Sequence, residues 1–313
     1  MTGILGALAV GSIGIGATAL VWPETGILGT FGRIFDSLSL HMLGFGACLG
    51  LCLAGLGARR SGVALGGVAL LAAGLLLWPL RTAPAPAEDA VSAGSGLQVL
   101  WFNLYQDNAT PPETLAEALI GSGADLVVLA EAAPLRPVLE KLAGTYPHQL
   151  GCRGRVCATL VLSRHPLVPD RAEMIDGARK GRLAAFAIQP AKGAPLSVVA
   201  AHLTKPWYHG FFDVDLWYLL DRSAAAEGPL LVMGDFNATP WSRPMQRIRA
   251  ETGARAPGWP VATWPAGAGG LGLPIDHLLV RDGAVLGPVT PWGAGLGSNH
   301  RGLLARIRWS GGA

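Results

Sequence analysis

Residues 230–242 read Leu-Leu-Val-Met-Gly-Asp-Phe-Asn-Ala-Thr-Pro-Trp-Ser, an apolar run that stops at a glycine and then presents a carboxylate and a carboxamide. Side chains alternate along an extended chain, so Asp235 and Asn237 point the same way while Phe236 turns back into the core. An anionic acceptor beside a neutral donor suits a site that activates a water and holds a phosphoryl oxygen. The same residues also suit an ordinary turn, and the stretch alone does not separate the two.

Other strand-like runs behave alike. Leu97 to Asn103 ends on Asn103, Ala124 to Glu131 ends on Glu131, and Val198 to His202 ends on His202. Leu273 to Val280 carries Asp276-His277, and Ser298-Asn299-His300-Arg301 stands directly before the apolar run Leu303 to Ile307. Each run delivers a polar residue at or near an end, which is how a packed scaffold gathers distant side chains into one site. Carboxylate and amide oxygens are the ligands a hard dication takes, such an ion can polarise a phosphoryl group and acidify a bound water, and histidines can move protons near neutral pH.

Taken in order, Asn103, Glu131, His202, Gly234-Asp235-Phe236-Asn237, Ile275-Asp276-His277 and Ser298-Asn299-His300 resemble the endonuclease/exonuclease/phosphatase superfamily over residues 97 to 309. The resemblance implies an α/β fold, a two-sheet β-sandwich flanked by helices in four layers. It implies a metal-dependent hydrolase acting on phosphate ester bonds, with Mg2+ or Mn2+ as cofactor. By the same resemblance Glu131 is the main metal ligand with Asn103 beside it, and His300 is the general base or phosphate contact, oriented by Asp276. Asp235 positions or deprotonates the attacking water, a role that competes with that of His300. Asn237 donates to a phosphate oxygen, and His202 stabilises the phosphate or the leaving group. Asn299 stands where the family usually has an aspartate, and Gly302 where a proline often follows. The neutral amide loses the charge term at the metal, which predicts weaker affinity or a changed metal preference.

The elements that position these residues are visible as patterns. Helical runs fall at Pro112 to Gly121, Leu135 to Ala143, Asp213 to Ala226 and Ser242 to Thr252, between the apolar strands. The amino-terminal third is different. Before Arg81 the only charged residues are Glu24, Arg33, Asp36, Arg59 and Arg60. Apolar stretches at about residues 3–22, 38–57 and 61–80 each approach the roughly 20 residues that cross a bilayer. This predicts a membrane domain of three transmembrane helices over residues 1–81, a flexible Ala/Pro/Ser/Gly linker over 82–96, and a catalytic domain over 97–309. Gly46/Gly50 and Gly62/Gly66 have the spacing that permits close helix packing in lipid.

Arg59-Arg60 in the short second connection mark it as cytoplasmic, so everything after Leu80 is expected outside the cytoplasm, in the periplasm or an equivalent space. Cys152 and Cys157 bracket a short loop and are expected to form a disulfide, which requires an oxidising compartment. Cys48 and Cys52 read as apolar packing.

The formal net charge of +3 is too small to demand nucleic acid. A basic bias from Arg153 to Arg182 reads equally as a steering surface for a polyanion or a solvated face. The aromatic run Trp207, Tyr208, Phe211, Phe212, Trp217 and Tyr218 suits base stacking, a lipid interface or helix packing. The expected partners are a phosphate-ester substrate, whether lipid head group, nucleotide or nucleic acid, and the lipid bilayer; no motif marks a protein partner. The reading that fits best is a membrane-anchored phosphoesterase working by in-line attack of water. The alternative is a weakened family member that serves as a binding or scaffold domain.

Overall fold

The computed structural model describes residues 1–21, 29, 32–33, 35–80, 96–152, 154–191, 193–208 and 210–309. The expected linker 82–96 therefore lies, except for Gly96, outside the described residues, as does the end of the first apolar stretch. The described helices are α1 (Thr2–Gly16), α2 (Thr18–Val21), α3 (Ser39–Gly55), α4 (Arg59–Leu77), α5 (Pro112–Gly121), α6 (Leu139–Ala143), α7 (Phe211–Ala225) and α8 (Arg243–Thr252). The strands are β1 (Leu97–Asn103), β2 (Leu126–Ala130), β3 (His148–Gly151), β4 (Thr159–Ser163), β5 (Leu167–Ile175), β6 (Leu183–Ile188), β7 (Leu196–His202), β8 (Leu230–Asp235), β9 (Asp276–Arg281), β10 (Ala284–Leu286), β11 (Thr290–Trp292) and β12 (Gly302–Trp309).

Two compact units are present, one comprising Met1–Ala83 with Pro206–His209 and Ala238–Arg247, the other the remaining residues. In the larger unit, a seven-stranded mixed sheet runs β10-β12-β1-β2-β4-β3 with β11 added against β12, and a five-stranded mixed sheet runs β5-β6-β7-β8-β9. Strands with apolar residues on both faces need cover on both sides. Val99, Trp101, Val128 and Val161 of the first sheet meet Phe186, Val198, Leu231, Met233 and Leu278 of the second in one core. The outer face of the first sheet is covered by Leu115 and Leu119 of α5 and Leu142 of α6. Over the second sheet, α7 lies against β6 and β7. The Arg281 guanidinium ties that layer together by donating to the carbonyls of Ser223, Ala226 and Thr252.

Strand direction is what matters for the site. The pairs β1/β2 and β7/β8 are parallel, so Asn103, the chain just after Ala130, His202 and Asp235 all emerge at one end of the sandwich. β9 runs antiparallel to β8 with Asp276 opposite Asp235, and β12 runs antiparallel to β1, so both bring their first residues to that same end.

In the smaller unit the apolar helices pack through glycines. A Cβ on Gly50 would lie 2.8 Å from the Gly62 carbonyl oxygen and from the Gly66 nitrogen, and one on Gly46 would lie 2.6 Å from Ile13. The small-residue spacing thus works as close backbone approach between α3 and α4. Arg59–Leu80, with the 3-10 turn that continues α4, is the one helix among the described residues long and apolar enough to cross a bilayer by itself, at 22 residues. Thr2–Gly16 and Ser39–Gly55 are apolar but shorter than the expected spans. The chain breaks at Ala17, and α3 is closed by Gly57 in the left-handed region.

Trp241 packs into the core of these helices with Ile13, Leu43, Ala69 and Leu76. Beside it Arg243 grips Asp36 with two nitrogens at 2.9 and 2.8 Å, and the Asp36 side chain is only 1% exposed. Removing one partner of a buried pair strands the other charge, whereas replacing both with apolar groups is close to neutral. We expect Asp36→Leu alone to destabilise the unit by about 3–5 kcal/mol and the double variant Asp36→Leu/Arg243→Met to recover most of that loss. Thermal unfolding in detergent measures both; equal losses in the single and double variants count against the pair.

Candidate active site

Gly234 shows why this strand end is built as it is. A Cβ there would collide with the Ala201 carbonyl oxygen and the Phe236 ring, so only glycine lets β8 come this close to β7 immediately before Asp235. Asn237 then takes a positive φ of 49°, and its backbone N–H donates to Asp235 Oδ1 at 2.9 Å. The turn and the site are the same structure.

Both aspartates of the second sheet are buried, and donors from the first sheet meet them. Asn103 Nδ2 donates to Asp235 Oδ2 at 3.1 Å. Trp101 Nε1 donates to Asp276 Oδ1 at 2.8 Å, and His300 Nδ1 donates to Asp276 Oδ2 at 2.8 Å. The free edge of the same imidazole, His300 Nε2, lies 3.7 Å from Asp235 Oδ2. His202 Nε2 is 3.5 Å from Asp235 Oδ2 and 3.9 Å from Glu131 Oε1. Asn103, His202, Asp235, Asp276, His300 and Glu131 therefore converge.

Burial and neighbouring charge set the protonation of this cluster. Desolvation, reinforced by the adjacent Asp276 charge, pushes Asp235 up to about 6. Burial would raise Asp276 as well, but the His300 charge and hydrogen bonds from His300, Thr263 and Trp101 outweigh it and hold the carboxyl below its usual range. Burial disfavours a charged His300, yet Asp276 and Asp235 overcome that and raise it to about 9. His202 goes the other way: burial first, then the nearby Arg182 and His300 charges, lower it well below the ordinary imidazole value. The result is a charged His300 paired with an ionised Asp276, beside a neutral His202.

Asp235, Asp276 and His300 also have one ligand atom each within 4.8 Å of one another, a spacing that fits a metal ion. Both Asp276 oxygens and His300 Nδ1 are already engaged in hydrogen bonds. The better hard-cation donors are Glu131 and Asn103. Glu131, at a positive φ of 52°, accepts from the Gln106 N–H through Oε2 at 2.7 Å and turns Oε1 toward the site. Asn103 Oδ1 accepts the Tyr105 N–H at 3.0 Å and keeps a second lone pair. A carboxylate and an amide oxygen at the end of parallel strands fit a magnesium-type ion that retains waters. Asn299 is exposed, and its backbone carbonyl accepts the Ala266 N–H.

Asn237 lies beside the cluster with Nδ2 donating to the Leu203 carbonyl at 2.9 Å, which leaves one amide N–H for a ligand. His277, on the opposite side of β9, stacks on Phe236 at 5.3 Å between centroids. Cys152 and Cys157 are joined as a disulfide. Sequence reasoning missed Trp101, Thr263 and Arg182, which fix Asp276 and the His202 backbone. Trp101 was findable, since it stands two residues before Asn103 and so shares its side of β1; Thr263 lies in a loop with no periodicity to flag it.

A two-sheet scaffold whose strand ends pool carboxylates, imidazoles and amides defines a hydrolase of phosphate esters. Residues 100–300 match the endonuclease/exonuclease/phosphatase family, and the chain belongs to that family. No curated protein is significantly similar in sequence. Among solved structures, TDP2 of D. rerio complexed with a single-strand DNA product is 16% identical, covering 68% of this chain and 99% of that one, with a TM-score of 0.54. Sphingomyelinase C from Streptomyces griseocarneus is 20% identical over 67% of this chain and 99% of its own, with a TM-score of 0.50. A beta toxin variant from Staphylococcus aureus with bound magnesium ions is 13% identical over 68% and 99%, with a TM-score of 0.50. At these identities the likeness is one of fold.

Trp101→Phe removes one of the hydrogen-bond donors to the buried Asp276 carboxylate. The lost charge-assisted hydrogen bond is expected to cost about 1.5–3 kcal/mol, read as a shift in denaturant midpoint at unchanged slope. A midpoint within error of the parent means that Asp276 does not depend on the indole.

Proposed function

We propose that this chain is a membrane-anchored, divalent-metal-dependent phosphodiesterase that hydrolyses its substrate by in-line attack of water, with its catalytic domain on the extracytoplasmic side. The observation that carries the reading is the relay Trp101–Asp276–His300 set against Asp235, with Glu131 facing the same space.

In this reading Glu131 and Asn103 hold a Mg2+ or Mn2+ ion, with Asn299 as a further, neutral ligand. The bound ion supplies charge neutralisation at the phosphoryl oxygens. Asp235 takes the proton of the attacking water, for which its place between Asn103, His202 and His300 is suited. His300, held by Asp276, donates a hydrogen bond to a non-bridging phosphate oxygen as charge grows there. His202 stands by the leaving oxygen, and the spare N–H of Asn237 binds a second phosphate oxygen. The convergence of Asn103, Glu131, His202, Asp235, Asp276 and His300 supports an enzyme over a scaffold.

Three transmembrane helices remain the best account of the amino-terminal unit. Ile4, Leu8, Val10, Leu51, Val63, Leu70, Leu71 and Leu75 are exposed on α1, α3 and α4, an apolar surface that water does not tolerate at this extent. The shorter helices suit a thinner or locally adapted bilayer. The Arg59-Arg60 connection facing the cytoplasm and the Cys152–Cys157 disulfide both support an extracytoplasmic catalytic domain.

Activity on bis(p-nitrophenyl) phosphate is expected to vanish with a chelator and return with magnesium or manganese. Glu131→Gln should lose about 10²–10³-fold in kcat or more; full activity in this variant with added magnesium ends the assignment. Asn299→Asp should tighten the apparent metal affinity, and an unchanged affinity removes Asn299 from the ligand set.

Asp276→Asn and His300→Gln are expected to lose similar factors in kcat, and the double variant little more, because groups acting as one unit are strongly non-additive. Losses that multiply would show two independent contributions.

A further inference from the structure

One helix of the larger unit carries exposed aromatics in a stripe. On α7, Phe211, Val214 and Trp217 are 52%, 43% and 56% exposed, and their spacing puts them on one stripe, with Tyr218 packed edge-on against Trp217 at 4.9 Å. The opposite stripe, Phe212, Leu216 and Leu219, is buried. The helix therefore fills its own packing needs and still presents large aromatics outward.

This stripe is fixed to the active site. Asp215, fully buried on α7, accepts Thr204 N–H at 2.9 Å and Thr204 Oγ1–H at 2.6 Å, two residues past His202. Its other oxygen accepts the Ala178 N–H at 2.8 Å, which anchors the turn carrying the exposed Arg179 and Lys180. Arg179 and Lys205 are close enough to bias the His202 imidazole. The segment just before α7, Pro206–His209, belongs to the compact unit of apolar helices, and its Trp207 and Tyr208 are exposed.

We propose that the outward face of α7, together with Arg179 and Lys180, is a bilayer-docking surface that rests in the lipid–water interface beside the His202 side of the active site. Tryptophan and tyrosine favour that interface, where the ring is half in hydrocarbon and the polar edge stays wet. Adjacent cations add attraction to anionic head groups. The docked pose presents phospholipid head groups to the site, which makes the substrate a lipid phosphate ester. Nucleic acid fits less well: a stacking groove needs cations tracking the phosphate backbone, whereas this helix carries Val214 in the stripe and Asp213 and Asp221 along its length. The inference rests on the reading of the chain as membrane-anchored.

The test uses the full chain, with Cys48 and Cys52 replaced by alanine, reconstituted into phosphatidylcholine/phosphatidylglycerol vesicles. A nitroxide is placed at Trp217→Cys, at Phe211→Cys as a second reporter, and at Val285→Cys on β10 as a control. Power saturation is expected to show both α7 labels several-fold more accessible to oxygen than to a water-soluble nickel chelate, relative to Val285→Cys. Labels on α7 as open to the chelate as the control, in protein that floats with the vesicles, overturn the docking surface and leave the anchor standing. Protein that does not float overturns both. Protection of the α7 labels by a single-stranded oligonucleotide, with none from the bilayer, overturns the proposal in favour of base stacking.

Discussion

Two carboxylates from one sheet are buried at the end of the sandwich and depend on the other sheet for their partners. Asp235 and Asp276 face each other across β8 and β9, and like charges at that distance in a water-poor space repel. The first sheet answers with Trp101, Asn103 and His300. The two sheets are thus joined by an apolar core and also by a polar seam at one edge, where the Trp101–Asp276 and Asn103–Asp235 hydrogen bonds cross from one sheet to the other. A buried charge is tolerable only with such partners in good geometry, so the relative setting of the sheets is tied to the chemistry they serve.

That constraint explains the division of labour between the two aspartates. Asp276 has both oxygens engaged and a charged imidazole beside it, and stays ionised. Asp235 has weaker compensation and is pushed up to about 6. Identical side chains in register on neighbouring strands thereby acquire different proton affinities. Gly234 belongs to the same logic, because any larger residue would hold β8 away from β7 and move Asp235 out of the seam.

Two short segments of the carboxy-terminal two thirds, Pro206–His209 and Ala238–Arg247, belong to the helical unit. Within that unit the returning segments are held by apolar packing of Trp241 and by the Asp36–Arg243 pair. Pro206–His209 and Ala238–Arg247 therefore group with the apolar helices, although the sequence places them in the middle of the catalytic domain.

Much of this was legible in the sequence because it is local. Strand ends with a lone polar residue, the Gly-Asp-Phe-Asn turn and the Pro112–Gly121 helix follow from side-chain alternation, glycine sterics and helical spacing, which neighbouring residues determine among themselves. Asn103, Glu131, His202, Asp235, Asp276 and His300 stand at or beside strand ends of that kind, and the structure brings them together. Strands β3, β5 and β6 were not legible, since their residues alternate weakly and are fixed by pairing, β3 with β4, β5 with β6 and β6 with β7. Nor was the length of the apolar helices, which their glycine contacts and breaks decide. Tertiary structure alone decided the indole behind Asp276, the opposite shifts of His202 and His300, and the capture of Arg243 by Asp36. Each of these depends on burial and on partners far away in the chain, quantities that no local pattern of residues contains.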